Sequence, residues 1–303
     1  MFHWEIDDAA YQSRHRPTDL PAIERRIAAL EPGRGKVKSV WTTAGVEDRY
    51  TINFEHGSVR VSGDGTELRP LSGKKPALMG VLVGSWIVSI SGLALFSNLL
   101  LGLVAAWPRR GKFRALLVPS RKGPLPARLY SWHRAIGLWA VVPALLVTGT
   151  GVLLKFEDGV AALIGARPVS LAAIPRAGAM KGFAAVSGAA LAAIPGSTLT
   201  AVRWPGNDDA TYNIRVRAPG EVRRAYGASI VLVDANTGAV RGTYPIAKAD
   251  PARRSMSGLF PIHTGESAGL AGRLLTALVG LWLVAMTGMG ILLWAKRRKP
   301  RRS

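Results

Sequence analysis

Two histidines carry the clearest chemical signal in this 303-residue sequence. His133 lies in Ser131-Trp-His-Arg-Ala-Ile-Gly-Leu-Trp139, at the start of an apolar run. His263 lies in Phe260-Pro-Ile-His-Thr-Gly265 and opens the last apolar run, Leu274 to Trp294. An imidazole in such a place has two uses. It can cap or orient a helix start, since an ionisable group at the end of a membrane span costs far less than one at its centre. It can also lend a ring nitrogen to a metal, provided the other nitrogen finds an acceptor that fixes the tautomer. Spacing alone leaves both uses open. The absence of cysteine removes disulfides, zinc–thiolate sites and iron–sulfur clusters held by the chain's own side chains. Gly149-Thr-Gly151 is no dinucleotide fingerprint, because no strand precedes it and no loop-to-helix start follows. No nucleophile–base pair is readable, so hydrolysis has no support.

The elements that must position the histidines are apolar. Pro76–Trp107, Ile136–Phe156 and Ala271–Trp294 each meet the requirement of about 20 predominantly apolar residues for a span. None has Asp, Glu, Lys or Arg in its middle. The first exceeds the length needed and is expected to tilt or project. Trp86, Trp107, Trp132, Trp139, Trp282 and Trp294 lie in or beside the runs and read as interfacial anchors.

The formal charge of +21 invites a nucleic-acid reading, but its distribution argues against one. Arg109, Arg110, Lys112, Arg114, Arg121, Lys122 and Arg128 follow the first run without an acid. Lys296, Arg297, Arg298, Lys299, Arg301 and Arg302 follow the last, again without an acid. Cations flanking apolar runs in this way mark cytoplasmic ends of spans. The flanks 1–75 and 157–270 are closer to balance, with 12 basic against 11 acidic residues and 12 against 8. The expected order is therefore an extracytoplasmic segment 1–75, a span 76–107, a basic cytoplasmic loop 108–130 and a span 131–156. An extracytoplasmic segment 157–265, a span 266–294 and a cytoplasmic tail 295–303 complete it. His133 then sits near the cytoplasmic face and His263 near the outer face.

Both outer segments read as small α+β units. In the first, Pro17–Leu30 has helical period, and Lys36–Trp41, Arg49–Phe54 and Ser58–Val61 suit strands. In the second, Gly182–Ala193 suits a short helix. Leu199–Trp204, Thr211–Val216, Ser229–Val233 and Ala239–Tyr244 suit strands, with Asp234-Ala-Asn-Thr-Gly238 as a turn. The likeness extends to order. Phe156-Glu-Asp-Gly with Arg167-Pro168 echoes Phe2-His-Trp-Glu-Ile-Asp-Asp with Arg16-Pro17, and Trp107-Pro-Arg-Arg-Gly-Lys echoes Trp294-Ala-Lys-Arg-Arg-Lys. Such internal repeats are common in membrane proteins. Met1 then falls where a span should just have ended, without a signal peptide, and a preceding helix is expected by the repeat.

Trp132-His133-Arg134 with Gly137, Thr148-Gly149, Asp234–Gly238, Pro261-Ile-His-Thr-Gly265 and Thr287-Gly288 before Trp294 and the basic tail occur here in order. In these features the chain resembles the PepSY-associated transmembrane family of bacterial inner-membrane proteins, which includes reductases for ferric siderophores. The resemblance implies a helical transmembrane bundle with extracytoplasmic α+β PepSY-like domains, and b-type haem held by histidines between helices. Carried over, His133 and His263 become the cofactor-binding residues, each an axial ligand to haem iron. The repeat puts the partner of His133 in the helix expected before Met1, and that of His263 near Leu71–Pro76, where no histidine stands. His3, His15 and His56 are the others.

The expected function is haem-dependent electron transfer across the membrane to an extracytoplasmic ferric siderophore or similar chelate. The alternative is a non-catalytic accessory or binding subunit with eroded haem sites. A third reading has a partner chain or a second copy complete the ligation. Gly137, Gly149, Gly151, Gly280 and Gly288 admit either a flat macrocycle or a neighbouring helix. Asp208-Asp209 and Glu157-Asp158 are candidates for a cation or solvated surface. Arg223-Arg224 and Arg253-Arg254 are candidates for an anionic chelate or lipid headgroups.

Overall fold

The computed structural model describes residues 16–68, 78–107, 116–166, 168–169, 171–222 and 226–297. In chain order its helices are α1 (Leu20–Arg34), α2 (Leu78–Ala106), α3 (Leu125–Lys155), α4 (Glu157–Leu163), α5 (Phe183–Ala193), α6 (Pro251–His263) and α7 (Gly269–Arg297). The strands are β1 (Val37–Thr42), β2 (Arg49–Phe54), β3 (Gly57–Ser62), β4 (Glu67–Leu68), β5 (Thr198–Arg203), β6 (Thr211–Arg217), β7 (Ser229–Asp234) and β8 (Val240–Tyr244). The chain divides into two units, Met1–Lys75 with Ala161–Ser257, and Pro76–Val160 with Gly258–Ser303.

The first unit is one antiparallel sheet in the order β4-β3-β2-β1-β5-β6-β7-β8. Two segments far apart in sequence each contribute a helix and a four-stranded meander. The meanders join through their first strands, with Val40 opposite Val202 and Trp41 opposite Ala201. The internal repeat thus has a structural form: two half-sheets placed edge to edge. Joining them covers the edge that each β1-type strand would otherwise expose.

Local chemistry explains the elements. The Asp19 carboxylate accepts from the Ala22 N–H at 3.1 Å to start α1, with Pro21 in the first turn, a favoured arrangement at a helix start. In β6, Tyr212, Ile214 and Val216 are buried while Thr211, Asn213, Arg215 and Arg217 are half-buried, the period of two that a strand requires. Ile23 and Ile27 of α1, with Phe183 and Val186 of α5, join those strand residues in one core. Glu24 ties the halves together: its carboxylate accepts from the Ala184 N–H at 3.2 Å, at the start of α5, where negative charge is favoured. A side chain at Gly182 would collide with that carboxylate. Away from this core, the guanidinium groups of Arg203 and Arg215 lie 5.9 and 5.8 Å from the Trp41 ring, and Tyr226 meets it edge-on at 5.6 Å.

The motif Asp234–Gly238 proves to be a fold element. The Asp234 carboxylate accepts from the N–H groups of Asn236 (2.7 Å) and Thr237 (3.3 Å), and Gly238 has φ 79°. Burial would raise the Asp234 pKa, but these N–H groups together with the Thr237 hydroxyl and Arg241 hold the carboxyl below its ordinary value. The Asn236 amide in turn accepts from Ala177 N–H (2.8 Å) and donates to Pro175 C=O (3.1 Å). Asp209 likewise pins a loop, accepting from Ile174 N–H at 3.1 Å and Thr211 Oγ1 at 2.7 Å. Its expected alternative, a cation site, finds no support, and the described residues hold no group of three or more potential metal-binding side chains.

The second unit contains three helices long and apolar enough to cross a membrane: Trp86–Ala106, Leu125–Lys155 and Glu266–Lys296. The central helix, α3, packs against both α2 and α7. It begins after Pro124, before the apolar run proper, and carries Pro143 in its interior.

Two expectations need correction here. His263 closes α6 and does not open the last span. Gly265 at φ 76° and Gly269 at φ 60° interrupt the helix, and a β-carbon at Gly265 would strike the Gly272 backbone. Trp282 is not an interfacial anchor, because its indole N–H donates to the Ile136 carbonyl at 3.1 Å within the bundle. Trp86, Trp107, Trp139 and Trp294 are exposed, as anchors require.

Candidate functional site

The two sequence-selected histidines lie at two levels of α3. His133 belongs to α3 itself, four residues before Gly137. His263, at the end of α6, meets α3 at Val147 and Gly151. Those levels are 14 to 18 residues apart, roughly 21–27 Å along a helix rising 1.5 Å per residue.

At the first level, α3 and α7 interlock through glycines. A β-carbon at Gly137 would lie 3.2 Å from the Met286 methyl, and one at Gly290 would lie 4.0 Å from His133 Cε1. Each bare position receives the large side chain of the other helix. Beside this contact is a cavity of about 260 Å³ whose lining includes Asn98, Gly102, Tyr130, His133, Gly137 and Met286. His133 Nδ1 is buried and meets no hydrogen-bond partner among the described residues. An unpartnered buried ring nitrogen is costly, and it marks this cavity as the place where a ligand has most to offer. The Arg134 guanidinium lies 5.9 Å from the Tyr130 ring at the same level.

At the second level the arrangement is complementary. His263 Nδ1 lies 2.8 Å from the Val147 carbonyl oxygen. A carbonyl only accepts, so Nδ1 carries the hydrogen, and in the neutral ring Nε2 keeps its lone pair. The same carbonyl accepts from Thr150 Oγ1 at 3.0 Å. The ring fits because Gly151 has no side chain; a β-carbon there would lie 2.8 Å from His263 Cε1. Of the other glycines singled out, Gly149 accommodates Phe96 at 3.1 Å, while Gly280 and Gly288 have nothing within 4 Å. Helix packing accounts for three of the five.

Haem ligation asks three things of an imidazole: a nitrogen lone pair, an acceptor for the other N–H, and apolar room for the macrocycle. His133 has an unpartnered nitrogen and lines a largely apolar cavity whose volume of about 260 Å³ would have to widen to take the whole macrocycle. His263 has the acceptor and a defined tautomer. Each histidine offers one nitrogen donor, and His133 is the one histidine lining the cavity among the described residues. His3 and His15 lie outside the described residues; His56 is exposed in the β2–β3 turn of the sheet unit. Arg223 and Arg224 also lie outside the described residues.

A bundle of three apolar helices, together with an eight-stranded sheet covered by two helices, defines a multi-pass membrane protein. The family profile described as the PepSY-associated TM region matches residues 1–297, and the chain belongs to that family. Comparison with curated proteins finds no match.

Proposed function

We propose that the protein holds haem b in its helical bundle and passes electrons across the bacterial inner membrane to an extracytoplasmic ferric chelate of the siderophore type. The observation that carries this reading is the His133 imidazole, with a buried, unpartnered nitrogen in a cavity between membrane-spanning helices. His263 supports it with a lone pair on Nε2, set by the Val147 carbonyl. The separation of the two levels, roughly 21–27 Å at 1.5 Å per residue, spans most of a hydrocarbon core about 30 Å thick.

Each residue has a task in this scheme. His133 and His263 would hold the haem iron. The Val147 carbonyl holds the His263 ring and raises its basicity as a donor. Gly151 admits that ring, while Leu99, Leu103 and Leu138 keep water from the His133 cavity. Haem, when bound, supplies a one-electron carrier whose potential depends on ligands and burial. A second copy or a partner chain would supply any further ligand. The basic flanks support a cytoplasmic tail after Trp294, and in the sheet unit Arg203 and Arg215 suit an anionic chelate.

The test uses vesicles that contain the full chain and enclose a ferric hydroxamate chelate, with an impermeant reductant outside. Ferrous iron inside is read with a chromogenic chelator. The proposal expects reduction that depends on the protein and falls at least about tenfold in His133→Ala. A rate equal to that of protein-free vesicles contradicts it. A second reading, an accessory subunit without haem, rests on one observation: His133 and His263 each pack against a glycine of a neighbouring helix, as polar packing residues would. That reading expects a haem-free protein from haem-sufficient cells.

A further inference from the structure

A cavity of about 330 Å³ opens in the sheet unit where β8 passes into α6, lined by Thr243, Tyr244, Pro245, Lys248, Ala249 and Arg253. Both charged groups that line it are cations, and two hydroxyls add neutral donors. Arg253 Nη2 is buried and has no hydrogen-bond partner among the described residues. The nearby acid, Asp250, makes no hydrogen bond to that guanidinium; its carboxylate accepts from the Arg253 backbone N–H at 2.9 Å and so caps α6. Burial pulls the Arg253 guanidinium below its ordinary pKa, against the opposing influence of Asp250 and Tyr244. A buried cationic donor without a partner is costly, and an anion in the cavity removes that cost.

We infer that this cavity binds a phosphate-bearing ligand, with the Arg253 guanidinium and the Lys248 ammonium as its cationic contacts. A planar guanidinium fork matches a tetrahedral oxyanion, and lysine adds a point charge. The phenol of Tyr244 is held in position because Gly242 has no side chain; a β-carbon there would press on the Tyr244 ring at 2.9 Å. The volume is at the lower end of ligand pockets, which run from roughly 300 to 1,000 Å³. It suits a phosphoryl group with a small organic substituent. Two sources share this chemistry: a phospholipid headgroup and a soluble phosphate. The first gains weight because Arg253 lies in α6, the helix that precedes in the chain the span beginning at Glu266. The inference stands apart from haem binding.

The test is calorimetric titration of the full chain in a phosphate-free, non-ionic detergent. One arm uses inorganic phosphate and the other short-chain phosphatidylglycerol. Saturable binding in the first arm alone assigns the site to free phosphate; tighter binding in the second assigns it to a headgroup. In whichever arm binds, Arg253→Gln is expected to weaken affinity about tenfold or more, as loss of a charge-assisted hydrogen bond does. Lys248→Gln, on an exposed side chain, is expected to weaken it several-fold and keeps the test sound should Arg253→Gln fold poorly. Absence of binding in both arms, or binding that neither substitution weakens, overturns the inference.

Discussion

Gly151→Ala tests the contact between α6 and α3 most sharply. The added methyl would lie 2.8 Å from His263 Cε1 and 3.2 Å from Nδ1, closer than such contacts occur, so the ring or a helix must move. The ring cannot turn away without loosening its 2.8 Å hydrogen bond to Val147. Losing that bond costs roughly 0.5–1.5 kcal/mol, and overpacking adds roughly 1–3 kcal/mol. Alanine recovers roughly 0.5–1 kcal/mol over glycine within a helix. A net destabilisation of roughly 0.5–4 kcal/mol follows from these ranges. Thermal unfolding in detergent, followed by near-ultraviolet circular dichroism, measures it. In a His263→Ala background the same substitution meets no ring, and is expected to be neutral or stabilising by up to about 1 kcal/mol. The alanine gain is common to both backgrounds, so the double-mutant cycle should give a coupling of roughly 1.5–4.5 kcal/mol. Equal cost in both backgrounds would refute the assignment of Gly151 as the space for the His263 ring.

Gly280→Ala and Gly288→Ala, where no atom lies within 4 Å, are expected to leave stability unchanged or raise it by up to about 1 kcal/mol in the same unfolding assay. Trp282→Phe removes the donor to Ile136 and is expected to cost about 0.6–1.7 kcal/mol, the range of interhelical hydrogen bonds in membranes. The Tyr50 phenol is pushed from 10.0 up to about 12, chiefly by burial, with Asp48 adding and the Thr18 hydrogen bond opposing. The folded pKa is raised, so the stability this group contributes is whole below pH 10.0 and lost as pH rises through about 12. An alkaline unfolding series should show that loss in the native chain and less of it in Tyr50→Phe; identical profiles would contradict the burial argument.

The sheet was legible because its strands are short apolar or β-branched runs, alternating cleanly in β6, and turns such as those before β3 and β8 carry glycine. Arg49–Phe54 matches its expected bounds, the other expected strands differ by one residue at one or both ends, and the short β4 was not foreseen. The repeat was legible too, but not the pairing of β1 with β5, since nothing local encodes which edges meet. The helix α6 had signals that went unread: Asp250 as cap, Pro251 in the first turn and a periodic apolar face through Met256 and Phe260. Missing it misplaced His263, which ends that helix. The choice of His133 and His263 as candidates came from residue type and position. The geometry that distinguishes them, an unpartnered nitrogen at one and a carbonyl-bound nitrogen at the other, depends on residues more than a hundred positions away for His263 and so lies beyond sequence pattern.

The most direct test of the central claim is a haem count on the full chain purified in detergent from haem-sufficient cells. A pyridine haemochrome assay and a reduced-minus-oxidised visible spectrum together provide it. The account predicts b-type haem bound to the chain, with bands that shrink in His133→Ala and His263→Ala. A haem-free protein, or haem that both substitutions leave untouched, contradicts it.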